Sequence, residues 1–279
     1  METIKQGYYS GERALFHEHD LILQDTTFAD GESPLKESAN ITLDGCIFKW
    51  KYPLWYSSNI TAQHTTLLET ARSGIWYTKN ITMKDCSIEA PKTFRRASDI
   101  HLDHVHMPNA LETLWKCEHI TMYHVQAKGD YFGMNAKHIK GDHFTLSGNY
   151  AFDGASHIEL HHATLLSKDA FWNCEDVVVY DSLIIGEYLG WNSKNITFIN
   201  CTIDSLQGLC YMENLKMVNC KLLNTTRAFE YSNVDGQIAS RIDSVKNPVS
   251  GSIQANEIKE LIMEETRICP QNTKITIQQ

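Results

Sequence analysis

Apolar and polar residues alternate in short bursts along this chain, and the bursts recur at a nearly fixed interval. The string Asn-Ile-Thr begins at Asn40, Asn59, Asn80 and Asn195. Relaxed to Asn, Asp or His followed by Ile, Val or Leu, it also begins at Asp20, Asp99, His119, His138, His157, Asp176, Asn214 and Asn233. Successive starts lie 19 to 21 residues apart. With this mark as position zero, position +1 is apolar (Ile41, Ile60, Ile81, Val177) and +3 is mostly Leu, Met or Phe. Position +6 is small or β-branched (Thr26, Cys46, Val105, Ala163), and +8 is apolar again (Phe48, Leu67, Ile184). Alternation with a period of two is a strand signal. Further apolar residues stand five before the mark (Leu54, Phe94, Phe171), and small ones two before it (Ser57, Ala97, Cys174). Each repeat is therefore predicted to hold three short strands separated by turns.

A unit of this length is too short for a helix pair or a propeller blade. It fits one coil of a solenoid in which each strand pairs with its copy in the next coil. A strict six-residue period, expected of a left-handed solenoid, is absent. The expected fold is all-β, a right-handed single-stranded parallel β-helix of about twelve 19-residue coils with capped ends. The whole chain, 1–279, reads as one domain: an N-terminal cap over 1–16, coils over 17–234 and a C-terminal cap over 235–279. The caps would cover strand edges that are otherwise open to pairing.

The turns use few Gly or Pro, so Asn, Asp and His must supply the left-handed backbone. They fill position zero and position +5, where Asp25, His64, Asp85, His104, His124, His143 and His162 stand. Four successive coils carry His at +5, from His104 to His162. Stacked imidazoles invite a metal reading. The mixture with Asn and Asp fits a turn ladder better, and neither metal nor cofactor is expected. If the ladder His are packed, they must become charged in acid, and stability is expected to fall below about pH 6. Cys46, Cys86, Cys201 and Cys220 share position +6, and Cys117 and Cys174 share −2, so these thiols read as small core residues.

Composition removes several function classes. Thirty-four Asp and Glu against 25 Lys and Arg give a net charge of −9, which opposes non-specific nucleic-acid binding. No apolar run approaches the roughly 20 residues of a membrane span. Met1 to Ser10 is polar and lacks a signal-peptide core, so a cytoplasmic location is expected.

The phrase Asn195-Ile196-Thr197-Phe198-Ile199-Asn200-Cys201-Thr202-Ile203 looks like a coil of the pectin-lyase-like superfamily. More closely, the chain resembles an uncharacterised bacterial family of single-domain β-helix proteins. The resemblance rests on Glu12-Arg13-Ala14-Leu15-Phe16, Tyr52-Pro53-Leu54-Trp55, Gly186-Glu187-Tyr188-Leu189-Gly190-Trp191, Ala228-Phe229-Glu230-Tyr231 and Ile242-Asp243-Ser244-Val245-Lys246-Asn247-Pro248. It implies a fold and brings no activity.

Function has to be read from the column four before the mark: Lys36, Trp55, Trp76, Arg95, Trp115, Met134, Asp153, Trp172, Trp191, Cys210 and Phe229. Its Lys, Arg and Asp are hard to bury, so the column is expected on the outer surface. Glu112, Tyr131, Tyr150, Asp169 and Tyr188, seven before the mark, would flank it. Aromatic faces stack on sugar rings, and Arg holds carboxylates. The expected binding surface is Trp55, Trp76, Arg95, Trp115, Trp172, Trp191 and Tyr188, and the expected ligand is a saccharide. The competing reading is a scaffold without chemistry that associates with itself, as a homodimer, through the same stripe. A third reading packs the Trp internally. Cleavage would need paired carboxylates or a basic partner; Glu187, Asp153, Arg95 and Glu230 are the weak catalytic candidates. The chain lacks the Asp-Asp pair of β-helix polygalacturonases and shows no nucleophile or phosphate-loop motif.

Overall fold

The computed structural model describes residues 1–278; Gln279, the last residue of the expected C-terminal cap, lies outside the described residues. The chain forms a parallel β-solenoid. Among the described residues, helix is limited to two 3₁₀ turns, Glu69–Ala71 and Pro270–Asn272. Two compact units are formed, Met1–Lys140 and Gly141 onward.

In the first unit the mark opens strands such as Ala39–Asp44, Ser58–Gln63 and Lys79–Lys84. They pair in parallel with Ile41 opposite Ile60, and Ile60 opposite Ile81. A second strand of two or three residues follows in each coil, as at Ile47–Phe48, Thr66–Leu67 and Gln126–Lys128. The second unit repeats the plan, with Ile158 opposite Val177, Val177 opposite Ile196 and Ile196 opposite Leu215. The expected third strand is largely absent. Its place is taken by turns, with isolated bridges joining Trp76, Arg95 and Trp115 in the first unit.

There are about fifteen coils rather than twelve. The additional ones are terminal and carry no mark. Glu2–Lys5 pairs with Leu21–Gln24, Ser250–Ile262 with Asn233–Lys246, and Thr273–Ile277 with Gly251–Ala255. Terminal strands Glu2–Lys5 and Thr273–Ile277 leave most of their residues unburied, so they need no full set of apolar positions. Asn233 is not a true mark either. Its N–H donates to Met212 O, the bond that Ser58, the residue before a mark, makes to Ser38 O. Val234 then lies opposite Leu215, so the corner residue is missing and Asn233–Lys246 is one continuous strand, with a register shift between Ile238 and Arg241.

Corners explain the polar columns. Position zero is left-handed throughout the first unit (φ 59° at Asp20, 57° at Asn40, 55° at Asn59, 56° at Asn80). Side chains there bond along the stack: Asn40 donates to Asp20, Asn59 to Asn40 and Asn80 to Asn59, at 2.8–3.0 Å. Asp176, Asn195 and Asn214 do the same in the second unit. Position +5 is the second corner, and at Gly45 (φ 64°) a Cβ would meet Asp25 Oδ1 at 2.5 Å. A third left-handed corner stands three before the mark, on Tyr56, Tyr77, Arg96 and Lys116. It breaks the extended run that a third strand would need.

The interior is filled by the expected columns, with Phe48, Ile41, Leu43, Phe171 and Phe198 at most 1% exposed. Small inward residues do more than fit. Ser57 Oγ donates to Leu35 O at 2.8 Å, and Cys174 Sγ to Phe152 O at 2.9 Å. Cys46, Cys201 and Cys220 donate to Leu23, Val179 and Phe198 carbonyls at 3.3–3.4 Å. These are interior carbonyls of the preceding coil, which burial would otherwise penalise. Seven cysteines are buried and free, and Cys269 alone is exposed. Burial pushes the Cys86 thiol up to about 11 and those of Cys117, Cys201 and Cys210 up to about 12.

Asn59→Ala is expected to lower the unfolding free energy by about 1–2 kcal/mol, since Ala tolerates φ of 55° poorly and ends the amide ladder. Asn59→Gly should lose less. Urea midpoints check both, and an Ala variant as stable as the parent would contradict the corner argument. A thiol reagent under native conditions should modify Cys269 alone, because a buried thiol rarely forms the reactive thiolate; the others should react on denaturation. Mass spectrometry of labelled peptides reads the difference.

Candidate functional site

The aromatic column stands at the edge of the third corner, one residue before it. In the first unit Trp55 and Trp76 stack with centroids 5.1 Å apart and planes 8° apart. Arg95 comes next, its guanidinium 4.5 Å from the Trp76 centroid and 4.6 Å from that of Trp115. A cation is thus held between two indole faces, an arrangement that strengthens as water leaves. Arg95 Nε is buried without a hydrogen-bond partner, and the flanking π-faces account for its toleration. Arg95 Nη2 and Lys92 Nζ both reach Glu112 Oε2 at 3.2 Å. Tyr56 and Tyr77 stack beside the Trp pair at 4.7 Å.

Each indole N–H is committed inward. Trp55, Trp76 and Trp115 donate to the carbonyls of Ser73, Lys92 and Tyr131 at 2.5–2.8 Å. In the second unit Trp172 and Trp191 donate to Tyr188 and Gln207 carbonyls at 2.5 and 3.0 Å. The Trp are half-buried, neither core residues nor open platforms. Their faces lie against one another and against Arg95, so most of the stripe offers edges to solvent.

One cleft interrupts this ladder. A surface pocket of about 290 Å³ is lined by Arg95, Arg96, Trp115, Lys116, Met134 and Asn135. Its walls are mainly apolar, with three cations at its border. Arg96 and Lys116 are exposed and make no ion pair among the described residues.

The second unit gathers the acidic candidates. Trp172 and Trp191 stack at 5.9 Å, with Tyr150 and Tyr188 edge-on to them at 6.0 and 5.3 Å. Asp153 accepts from Asn173 Nδ2 at 2.7 Å, and Glu187 pairs with Lys168 at 3.4 Å. Between their fields sits Asp169, only 2% exposed. Burial pushes its carboxyl up; Lys168 opposes this, while Glu187 and Asp153 add to it. A carboxyl raised by burial beside other carboxyl groups is the pattern a general acid requires. Its position seven before the mark placed Asp169 on this face, but nothing in the sequence signalled its burial.

Glu230, not Phe229, occupies the column's place in its coil, because the missing corner residue shifts the register: Tyr211 N–H donates to Glu230 O as Tyr56 does to Trp76 O. Phe229 is interior, and Cys210 is buried as well. Glu230 pairs with Lys246 Nζ at 2.8 Å and accepts from Gln207 at 3.4 Å. The sequence candidates are therefore apportioned between the units. Trp55, Trp76, Arg95 and Trp115 line one ladder, and Trp172, Trp191, Tyr188, Asp153 and Glu187 the other.

Half-exposed His line position +5. His64 Nδ1 meets Asp44 at 3.0 Å and His104 Nδ1 meets Asp103 at 2.6 Å. These His side chains are more than half exposed, so the burial on which the expected loss of stability below about pH 6 rested is absent.

These features define a parallel β-solenoid with stacked aromatic columns on its turns. Residues 2–276 match the family described as "Protein of unknown function (DUF3737)", and the chain belongs to that family. No curated protein matches it. Among solved structures it is similar to HetL, a pentapeptide repeat protein involved in heterocyst differentiation regulation from the cyanobacterium Nostoc sp. strain PCC 7120 (10% identity, 82% of this chain and 90% of that chain, TM-score 0.26). It is also similar to the A-module of the Azotobacter vinelandii mannuronan C-5 epimerase AlgE4 (8% identity, 99% and 88%, TM-score 0.29). A third is PfbA, a surface adhesin of Streptococcus pneumoniae (10% identity, 99% and 77%, TM-score 0.27). Likeness at this level says nothing of activity. Among the described residues no helix is long and apolar enough to cross a membrane.

The acid dependence of stability should follow the carboxylates. The hydrogen bond from His104 holds the Asp103 carboxyl below its usual range against slight desolvation; the charges of His104, Lys84 and His101 assist. A depressed value stabilises the fold above the unfolded value, about 4, and that contribution is lost as pH falls through the folded value. The melting temperature is expected to hold between about pH 7.5 and 5.5 and to drop below about pH 4. Asp103→Asn should shrink the acid drop modestly, since the site is exposed.

Proposed function

We propose that this protein binds an acidic saccharide in the first-unit cleft beside Trp115. The observation that carries the reading is local charge. In a chain of net charge −9, Arg95, Arg96 and Lys116 converge on one mainly apolar cleft. An apolar wall suits the carbon face of a sugar ring, and the cations suit its carboxylate. Arg95, fixed between two indoles, is positioned before the ligand arrives, so little side-chain entropy is lost on binding. Cleavage is not part of this reading; Asp153, Asp169 and Glu187, in the other unit, are the residues to test if hydrolysis is found.

A structural role for the rest of the column is favoured by the stacked faces and committed indole N–H groups of Trp55, Trp76, Trp172 and Trp191. Such a ladder binds coil to coil and leaves the Trp115 cleft as the place for a ligand.

Titration with an oligouronate, followed by calorimetry at low ionic strength, tests the proposal. Saturable binding is expected, with roughly tenfold weaker affinity for Arg96→Ala/Lys116→Ala, a loss of about 1.4 kcal/mol. A neutral oligosaccharide of equal length should bind more weakly, and salt should reduce only the acidic ligand's affinity. Affinity unchanged by the double substitution, or no binding at millimolar ligand, would sink the reading.

A further inference from the structure

The corner at position +5 holds chemistry that the aromatic columns do not use. In the second unit, Asp142 ends a strand, His143 forms the corner after it (φ 53°), and His162 forms the same corner one coil later (φ 49°). His143 Nδ1 and His162 Nδ1 each lie 2.9 Å from one oxygen, Asp142 Oδ1. The two imidazoles stack with centroids 4.8 Å apart and planes 28° apart. One carboxylate oxygen and two imidazole nitrogens thus fall within 4.8 Å of one another.

A simple turn ladder does not require this convergence. At the Asp44 corner the same carboxylate–imidazole contact is made to His64 at 3.0 Å, but Gly45 stands where the second imidazole would be. At Asp142 two Nδ1 atoms, each able to carry a proton, converge on a single oxygen. One divalent ion in place of those two protons would satisfy all three groups, since neutral imidazole and carboxylate are its natural donors.

We propose that Asp142, His143 and His162 form a binding site for a divalent transition-metal ion, and that zinc is the ion best suited to it. Zinc takes nitrogen and oxygen donors and imposes no geometry of its own, whereas calcium and magnesium call for cages of oxygen. The ligands come from two consecutive coils, so the ion would clamp one coil to the next. Side-chain exposures of 42%, 47% and 52% leave the remaining coordination positions to water. Three protein ligands on an open corner suit an affinity in roughly the micromolar range, well short of a closed four-ligand site.

Zinc titration of the chelator-treated, dialysed full-length protein tests this, read by calorimetry and by proton–carbon NMR of the histidine rings. One tight equivalent is expected, with the His143 and His162 ring signals moving first. His162→Ala and Asp142→Asn should each weaken that equivalent at least tenfold, about 1.4 kcal/mol or more. Asp142→Asn keeps the shape of the corner and guards against a folding artefact, which circular dichroism without zinc also checks. His64→Ala should leave the equivalent intact. Absence of binding below about 1 mM zinc, or undiminished binding by His143→Ala/His162→Ala, would overturn the proposal.

Discussion

Backbone hydrogen bonds from each coil to the next carry the strain on which this architecture rests. Four or more residues in a typical coil, most of them not glycine, lie in the left-handed region, which L-residues disfavour by about 1–2 kcal/mol each. At the third corner several of these, Tyr56, Tyr77, Arg96 and Lys116, have no side-chain preference to help them. The conformation is held from outside. Tyr56 donates to Trp76 O, Tyr77 to Arg95 O, Arg96 to Trp115 O and Lys116 to Met134 O, each at 2.9–3.0 Å. Every coil repeats the turn of its neighbour, so each bond enforces the geometry that the next one needs. Inward carbonyls add a second demand, met by the hydroxyl and thiol donors at positions −2 and +6.

This division of labour decides what the sequence could reveal. Corners at zero and +5 were legible because Asn, Asp and His announce left-handed backbone and ladder along the stack. The third corner was not, since Tyr56 or Lys116 would sit as well in a strand. The terminal coils were illegible for a related reason: periodicity records burial, and Glu2–Lys5 buries little. Asn233 misled because it keeps the residue type of a mark after its corner has gone. That single missing residue moved Glu230 into the aromatic column and Phe229 into the interior. The column itself was readable, but the depth of its rings depends on how the corner turns them, which no spacing reports. Asp169 shows the same gap, for its type suggests a solvated acid and only the fold encloses it.

The aromatic columns then appear in two capacities. Trp55 on Trp76, and Trp172 on Trp191, lay broad apolar faces along the stacking direction and bury them without entering the core. Arg95 inserts a charge into the first of these stacks and finds compensation in π-density and in Glu112. Arg96 and Lys116, at the corner beside Trp115, differ from Arg95 in making no ion pair among the described residues. A ladder that is structural over most of its length thereby exposes one place with unmet electrostatic demand.

Coil length is the remaining consequence. Most coils span 19 residues, yet the one from Asn59 to Asn80 spans 21, and it contains the Glu69–Ala71 turn, after the second strand and before the third corner. Extra residues are absorbed there as an exposed bulge, Glu69 and Thr70, while Ala71 still turns inward. A residue gained or lost within a strand would turn every side chain after it to the other face, whereas the corner lost before Val234 left Val234 opposite Leu215. Relatives of this chain should therefore differ in length by whole coils, by small loops at that position on the perimeter, or by a corner residue, and not within the strands.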